Sequence, residues 1–212
     1  MATQHRRRKE ARPAEILAAA LMEFAARGFA ATRLEDVARR ADITKGTIYL
    51  YFDSKEALFR ALLQQEAGRE LDAIGALLDG YTGPAEDLLR ALVTEMGRRM
   101  VQSDLRHLLR LLIAEGPRFP DLLAFHHAEV ISRARALIRR AVRYGVDRGE
   151  FRDNNLSAFP QIIVSGPMLL VLWQTLFADI EALDGPAYLD TLTDTLLHGL
   201  VIQQDDAGGS RR

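Results

Sequence analysis

The chain has 212 residues, 48% of them hydrophobic and 27% charged, with a net charge of −1 and no cysteine. That composition supplies a sizeable core for one or two domains, and it excludes disulfides, thiolate metal sites and cysteine nucleophiles. No stretch reaches the roughly 18–20 uninterrupted apolar residues of a membrane span, and no apolar signal core follows the basic "RRRK" at 6–9, so a cytoplasmic protein with no membrane partner is expected.

The charge is unevenly placed. Residues 1–62 carry 12 Lys/Arg against 8 Asp/Glu, a balance of +4, whereas residues 63–212 carry 16 against 21, a balance of −5. Asymmetry of this kind points to an end that faces nucleic acid.

Nearly everything after residue 9 has helical period. A first helix is expected from about Lys9 to Arg27, with Ile16, Leu17, Ala20, Leu21 and Phe24 on one side and Gly28 as its stop. Thr32-Arg-Leu-Glu35 reads as a capping box for a second helix, whose buried side is Leu34, Val37, Ala38 and Ala41. Residues 42–44 form a tight turn, and Thr44 caps a third, short helix to about Phe52. A further capping signal at 53–56 starts a fourth helix that runs to about Asp79, and "GYTGP" at 80–84 breaks the chain. Helices of roughly 84–102, 104–115, 120–149, 157–182 and 186–203 follow, and residues 206–212 read as a disordered tail. The fold class is therefore all-α: an N-terminal three-helix unit with a helix-turn-helix, then a larger helical domain.

The third helix is unusual. At about 100° per residue, Ile48 and Phe52 fall together and define the buried side, while Leu50 points away, bordered by Gly46 and Thr47. Tyr49 and Tyr51 take the flanks. A glycine in a helix costs roughly 1 kcal/mol against alanine. It makes sense where another backbone must come close. The B-DNA major groove, about 12 Å wide, admits one such helix. Lys45 and Thr47 then reach base edges, Leu50 meets a thymine methyl, and the tyrosine hydroxyls meet phosphates. The competing reading is a small patch for docking on another protein.

The stretch "GFAATRLEDVARRADITKGTIYLYFDSKEALFRALL", residues 28–63, resembles the DNA-binding region of TetR/AcrR-type transcriptional regulators. In addition, "LRLLIAEGPRFPDL" and a long helix ending "RGEFR" resemble the AefR-like branch. The resemblance implies a DNA-binding domain at 1–62 and an effector-binding and dimerisation domain at 63–205. It implies a double-stranded DNA operator as partner, met by Thr44, Lys45, Gly46, Thr47 and Tyr49, with phosphate contacts from Tyr51 and Lys55 and backbone contacts at Thr32 and Arg33. Asp42 departs from the family pattern, which has glycine at this turn; the position is expected to be left-handed.

The helix at 159–180 is apolar on nearly every face, and Leu189, Leu192, Leu196 and Leu200 form a stripe on the last helix. Residues 157–203 are therefore expected to join two copies as a homodimer. The resemblance further implies a small-molecule effector, apolar or amphipathic, and a repressor that the effector releases from its operator. Met96, Met100, Leu108, Leu112, Phe125, His126 and Trp173 are the candidate pocket residues. The alternative is a ligand-independent architectural or cell-division protein of the same fold. No nucleophile motif, phosphate loop or metal-ligand spacing is present, so neither an enzyme nor a cofactor or metal is expected.

Overall fold

A computed structural model describes residues 2–153 and 155–200, and their side chains apart from those of residues 2–10, 155 and 200. The side chains of the basic run at 6–9, the residues 201–203 of the last expected helix and the tail at 206–212 lie outside the described residues. All extended secondary structure among the described residues is helical.

Ten α-helices follow in order: α1 Ala2–Arg27, α2 Leu34–Arg40, α3 Lys45–Tyr49, α4 Lys55–Leu78, α5 Ala85–Gln102, α6 Leu105–Glu115, α7 Pro120–His126, α8 Ser132–Asp147, α9 Gln161–Leu176 and α10 Gly185–Leu200. Gly28 stops α1 at φ +83°, a left-handed conformation that glycine takes at no steric cost. The single helix expected over 120–149 is instead α7, one wide π-turn at His127–Ile131, and α8. The capping box expected at Thr32 is absent. Arg33 is the N-cap of α2 without a side-chain bond. The Thr32 hydroxyl turns back and donates to the carbonyls of Gly28 at 2.7 Å and Glu23 at 3.2 Å, tying the loop to α1. Within the capping signal at 53–56, Ser54 caps α4, its Oγ accepting from the Ala57 amide at 3.0 Å.

The described residues fold as two compact units, one comprising residues up to Leu71 with Gln102–Arg133, the other Asp72–Val101 with residues from Ala134 onward. The core of the first unit combines Ile16, Ala20 and Phe24 of α1 with Val37, Ile48, Leu58 and Leu62, and closes on Leu108, Leu111, Leu112 and Leu122. Phe29 sits at its centre, with ring centroids 5.4 Å from Phe24, 5.2 Å from Phe59 and 4.7 Å from Phe119. The last two are edge-on, the geometry that aromatic quadrupoles favour.

In the second unit, α5, α8, α9 and α10 bury Leu88, Leu92, Val93, Ile138, Val142, Ile163, Leu170 and Leu197 together. A Cβ at Gly97 would collide with Leu189, and one at Gly166 with Leu192, so these glycines permit close approach to α10. This corrects the expectation of a leucine stripe on α10 facing a partner: Leu189 is buried, while Leu192 and Leu196 pack against the same core. The outward side of α10 carries Asp190, Thr191, Asp194 and Thr195 instead. Arg90 of α5 binds it, at 3.0 Å from Asp190 and 2.7 Å from Asp194.

In the second unit, exposed apolar side chains cluster on α9 and the turn after it. Ile162, Leu169 and Leu176 stand one heptad apart and are 49%, 48% and 62% exposed, and Phe177 and Ile180 continue the patch.

Candidate nucleic-acid interface

α2 and α3 are locked together before they meet any ligand. Ile48 is fully buried, and Val37 and Ala38 pack in the same core. The turn between the helices passes through Asp42 at φ +53°, the left-handed conformation expected there. Glu23 is buried on α1, accepts from Arg40 Nε at 2.6 Å and forms an ion pair with Arg27, whose Nε lies 3.3 Å away. Arg27 also lies 3.5 Å from Asp36, which is paired with Arg39 as well. This charge network holds α2 against α1.

α3 is capped as its sequence predicts. Thr44 Oγ1 accepts from the Thr47 amide at 3.2 Å and lies 2.9 Å from the Thr47 hydroxyl. The opposite face is open. Leu50 is 79% exposed and Tyr49 47%; Thr44, Lys45 and Gly46 are exposed and Thr47 half-exposed. A Cβ at Gly46 would meet nothing nearer than Thr44 Oγ1 at 3.7 Å. The fold itself does not require glycine at this position.

Two of the expected contacts are placed differently. Lys55 does not extend toward solvent. Its Nζ donates to the carbonyls of Phe29 at 2.7 Å, Thr32 at 3.0 Å and Ala30 at 3.1 Å, and lies 4.6 Å from the centre of the Phe29 ring. An ammonium has three protons, and these carbonyls occupy all of them; burial accordingly pushes the Lys55 pKa down. The Thr32 side chain is buried with its hydroxyl bonded internally. Arg33 is exposed, and Tyr51 is half-buried against the core. Replacing the ammonium while keeping the stem, Lys55→Met, is expected to lower folding stability by about 2 kcal/mol, since hydrogen bonds from a charged donor contribute more than neutral ones. A urea midpoint equal to that of the parent would show the three carbonyls to be satisfied without it.

The same loop is held from its other side. Glu115, at the end of α6 and 86 residues away in sequence, accepts from the amides of Phe29 and Ala30, both at 2.8 Å. A Cβ on Gly28 would collide with its carboxylate. Sequence reasoning missed this residue, because nothing near it announces a partner so distant in the chain. It also missed the ion pair between Lys45 of α3 and Glu35 of α2, at 2.7 Å.

The seven candidate effector residues divide between the two units. Leu108, Leu112 and Phe125 belong to the core of the first unit. His126 is buried in that unit, and its Nδ1 has no hydrogen-bond partner among the described residues. Burial, with the charge of His127 as a lesser cause, pushes its pKa down to about 4. Met96 lies in the second core, Met100 is half-buried, and Trp173 donates its indole N–H to the Glu181 carbonyl at 2.9 Å. An open groove of about 770 Å³ in the second unit is lined instead by Ala73, Ala76, Leu77 and Ala91, with Arg90 and Glu95 among its polar residues. Glu95 is held ionised, its pKa pulled to about 2 by hydrogen bonds from Arg98 and Arg99.

Residues 16–62 match the profile of "Bacterial regulatory proteins, tetR family", and residues 81–196 that of "Tetracyclin repressor-like, C-terminal domain". The HTH-type transcriptional regulator RutR of Escherichia coli (strain K12) is 33% identical over 132 residues, which are 61% of this chain and 61% of that protein. The matches to the first curated relatives thus span less than two thirds of their length. Among solved structures, the fatty acid degradation regulator FadR from Bacillus halodurans is similar with a TM-score of 0.74 at 24% identity, covering 88% of this chain and 95% of that one. The transcriptional regulator FadR from Bacillus subtilis, in complex with stearoyl-CoA, is similar with a TM-score of 0.70 at 17% identity, covering 87% and 97%.

Proposed function

Because the chain belongs to the tetR family of bacterial regulatory proteins, whose relatives here are helix-turn-helix transcriptional regulators, we propose that it is a dimeric, ligand-responsive repressor that reads a double-stranded operator through α3. The observation that carries this reading is the outward face of α3. It presents a glycine whose missing side chain serves nothing inside the protein, flanked by Thr47, Tyr49 and an almost fully exposed Leu50. A slim, partly apolar edge between hydroxyl groups suits a major groove, where bases are read at close range and phosphates from the sides. Thr44, Lys45, Gly46, Thr47, Tyr49 and Leu50 form the reading surface, with Tyr51 and Arg33 at its margins. Lys55 and Thr32 support it from within by fixing the loop at 29–32.

One recognition helix gives little affinity, so two half-sites are read by a pair of chains about one helical turn of DNA apart. The apolar stripe on α9 is the surface through which the copies pair. Residues 63–205 form the effector-binding and dimerisation domain, and an apolar or amphipathic molecule is the effector class we favour. The largely apolar groove beside α4 and α5 supports this, as does the stearoyl-CoA held by a structural relative. An effector that prefers one spacing of the two reading helices shifts the population away from DNA. α4 passes from the first unit into the second along one continuous helix, and so is the natural lever. The site of action is the cytoplasm, where such an operator is found.

Gly46→Ala separates this reading from a merely structural one. The free protein is expected to gain up to about 1 kcal/mol of stability from the better helix former. Binding to a duplex taken from beside the protein's own gene is expected to fall at least about tenfold, because the methyl group enters the contact. Unchanged binding by the variant, or a parent chain without saturable, salt-sensitive binding to any such duplex, would overturn the proposal.

A further inference from the structure

Resting on the DNA-reading surface just described, we propose that Glu35 is a specificity-determining residue. It holds Lys45 in an ion pair, so that the only cation on the reading helix is withheld from sequence-blind phosphate contact and changes partner where the base edges fit.

The first support is an inventory of charge. Among described residues up to 55, Arg12 pairs with Glu15, Arg27 and Arg40 with Glu23, Arg39 with Asp36, and Lys55 with three carbonyls. Lys45 pairs with Glu35. Arg33 is exposed, and its charge also acts on Glu35. Among the described side chains, the reading helix therefore presents little unpaired positive charge at its tip. Sequence-independent affinity comes from neutralising phosphates and releasing their counterions. A lysine already neutralised by a carboxylate gains little by that exchange.

The second support is the geometry of the pair itself. Lys45 Nζ lies 2.7 Å from Glu35 Oε1, and the two side chains are 44% and 56% exposed. The ammonium is also 5.7 Å from the centre of the Tyr49 ring, so it is steered along the reading face instead of outward. The hydrogen bond from Lys45 pulls the Glu35 pKa down, and that same bond raises the pKa of Lys45, so both remain charged at neutral pH. A pair this exposed is weak and salt-screened, and can exchange partners when a better one is offered. Holding the cation back until a base edge offers a better partner penalises wrong sequences more than right ones, which is how discrimination can be built in.

The test compares the parent with Glu35→Gln, which keeps the size and removes the charge. Two duplexes are used: one of mixed sequence, and the one that the parent chain selects most tightly from a random-sequence pool. Affinity is measured against salt concentration for each. On the mixed-sequence duplex, Glu35→Gln is expected to bind several-fold tighter, with a log–log salt slope steeper by about 0.9, the value for one more neutralised phosphate. On the selected duplex the change is expected to be smaller, so the ratio of the two affinities falls. In a Lys45→Met background the same substitution is expected to do much less, because the released cation is gone. Parallel salt lines with an unchanged ratio, or equal effects with and without Lys45, would overturn the proposal while leaving the DNA-binding reading intact. A parent chain that selects no duplex would overturn both.

Discussion

Two glutamates set into the apolar stripe of α9, as Leu169→Glu with Leu176→Glu, are expected to leave each chain folded and to separate the dimer into monomers. Both leucines are about half exposed or more in the single chain, so the carboxylates lie at the surface and the core is not disturbed. In a two-fold dimer the same patch meets itself. Four carboxylates would then be brought together in place of four apolar side chains, and burying unpaired like charges is prohibitive. The loss on DNA should be larger than the change at the surface suggests. Two linked reading heads gain about 10²- to 10⁴-fold over one, and that whole factor disappears with the dimer. Sedimentation velocity reads the mass, and titration of a duplex with two half-sites reads the affinity. A variant that still sediments as a dimer would show that the copies meet elsewhere.

Acid is expected to weaken the protein through His126. The ring is buried, its Nδ1 has no partner among the described residues, and burial pushes its pKa from the ordinary 6.5 down to about 4. As pH falls below 6.5 the unfolded chain takes up a proton at this residue and the folded chain does not. Stability is therefore full above 6.5, declines through the window down to about 4, and levels off below it. The expected loss from this one group between neutral pH and pH 5 is about 2 kcal/mol. Urea unfolding of the parent and of His126→Leu at both pH values isolates it, since the carboxylates are common to the two proteins. The parent should lose about 2 kcal/mol more than the variant; equal losses would mean that the ring gains a proton without unfolding.

What the sequence disclosed and what it withheld follow a physical division. Thr44 as cap of α3, Gly28 as stop of α1 and the left-handed turn at Asp42 are set by the nearest few residues, and all three stand where expected. The outward face of α3 was legible too, because burial on one side of a short helix follows its period. The roles of Thr32 and Lys55 were not. Both have side chains of the right kind at the right place for DNA, and both are turned inward by carbonyls from a loop whose path local rules do not give. Leu189 and Leu192 could be read as a stripe, yet the direction of that stripe is decided by Gly97 and Gly166 on other helices. Pocket residues are the hardest case: methionine, leucine and phenylalanine look alike whether they line a cavity or fill a core.

The clamp on the loop at 29–32 has a further implication for anyone transplanting this protein's operator preference. Glu115 fastens that loop, Phe119 packs edge-on against Phe29, and three leucines of α6 close the same core. A chimera spliced at residue 62 would carry the recognition residues without the pieces that set their attitude. The heritable cassette is discontinuous, and a functional graft would have to bring residues 102–133 along with the first 71.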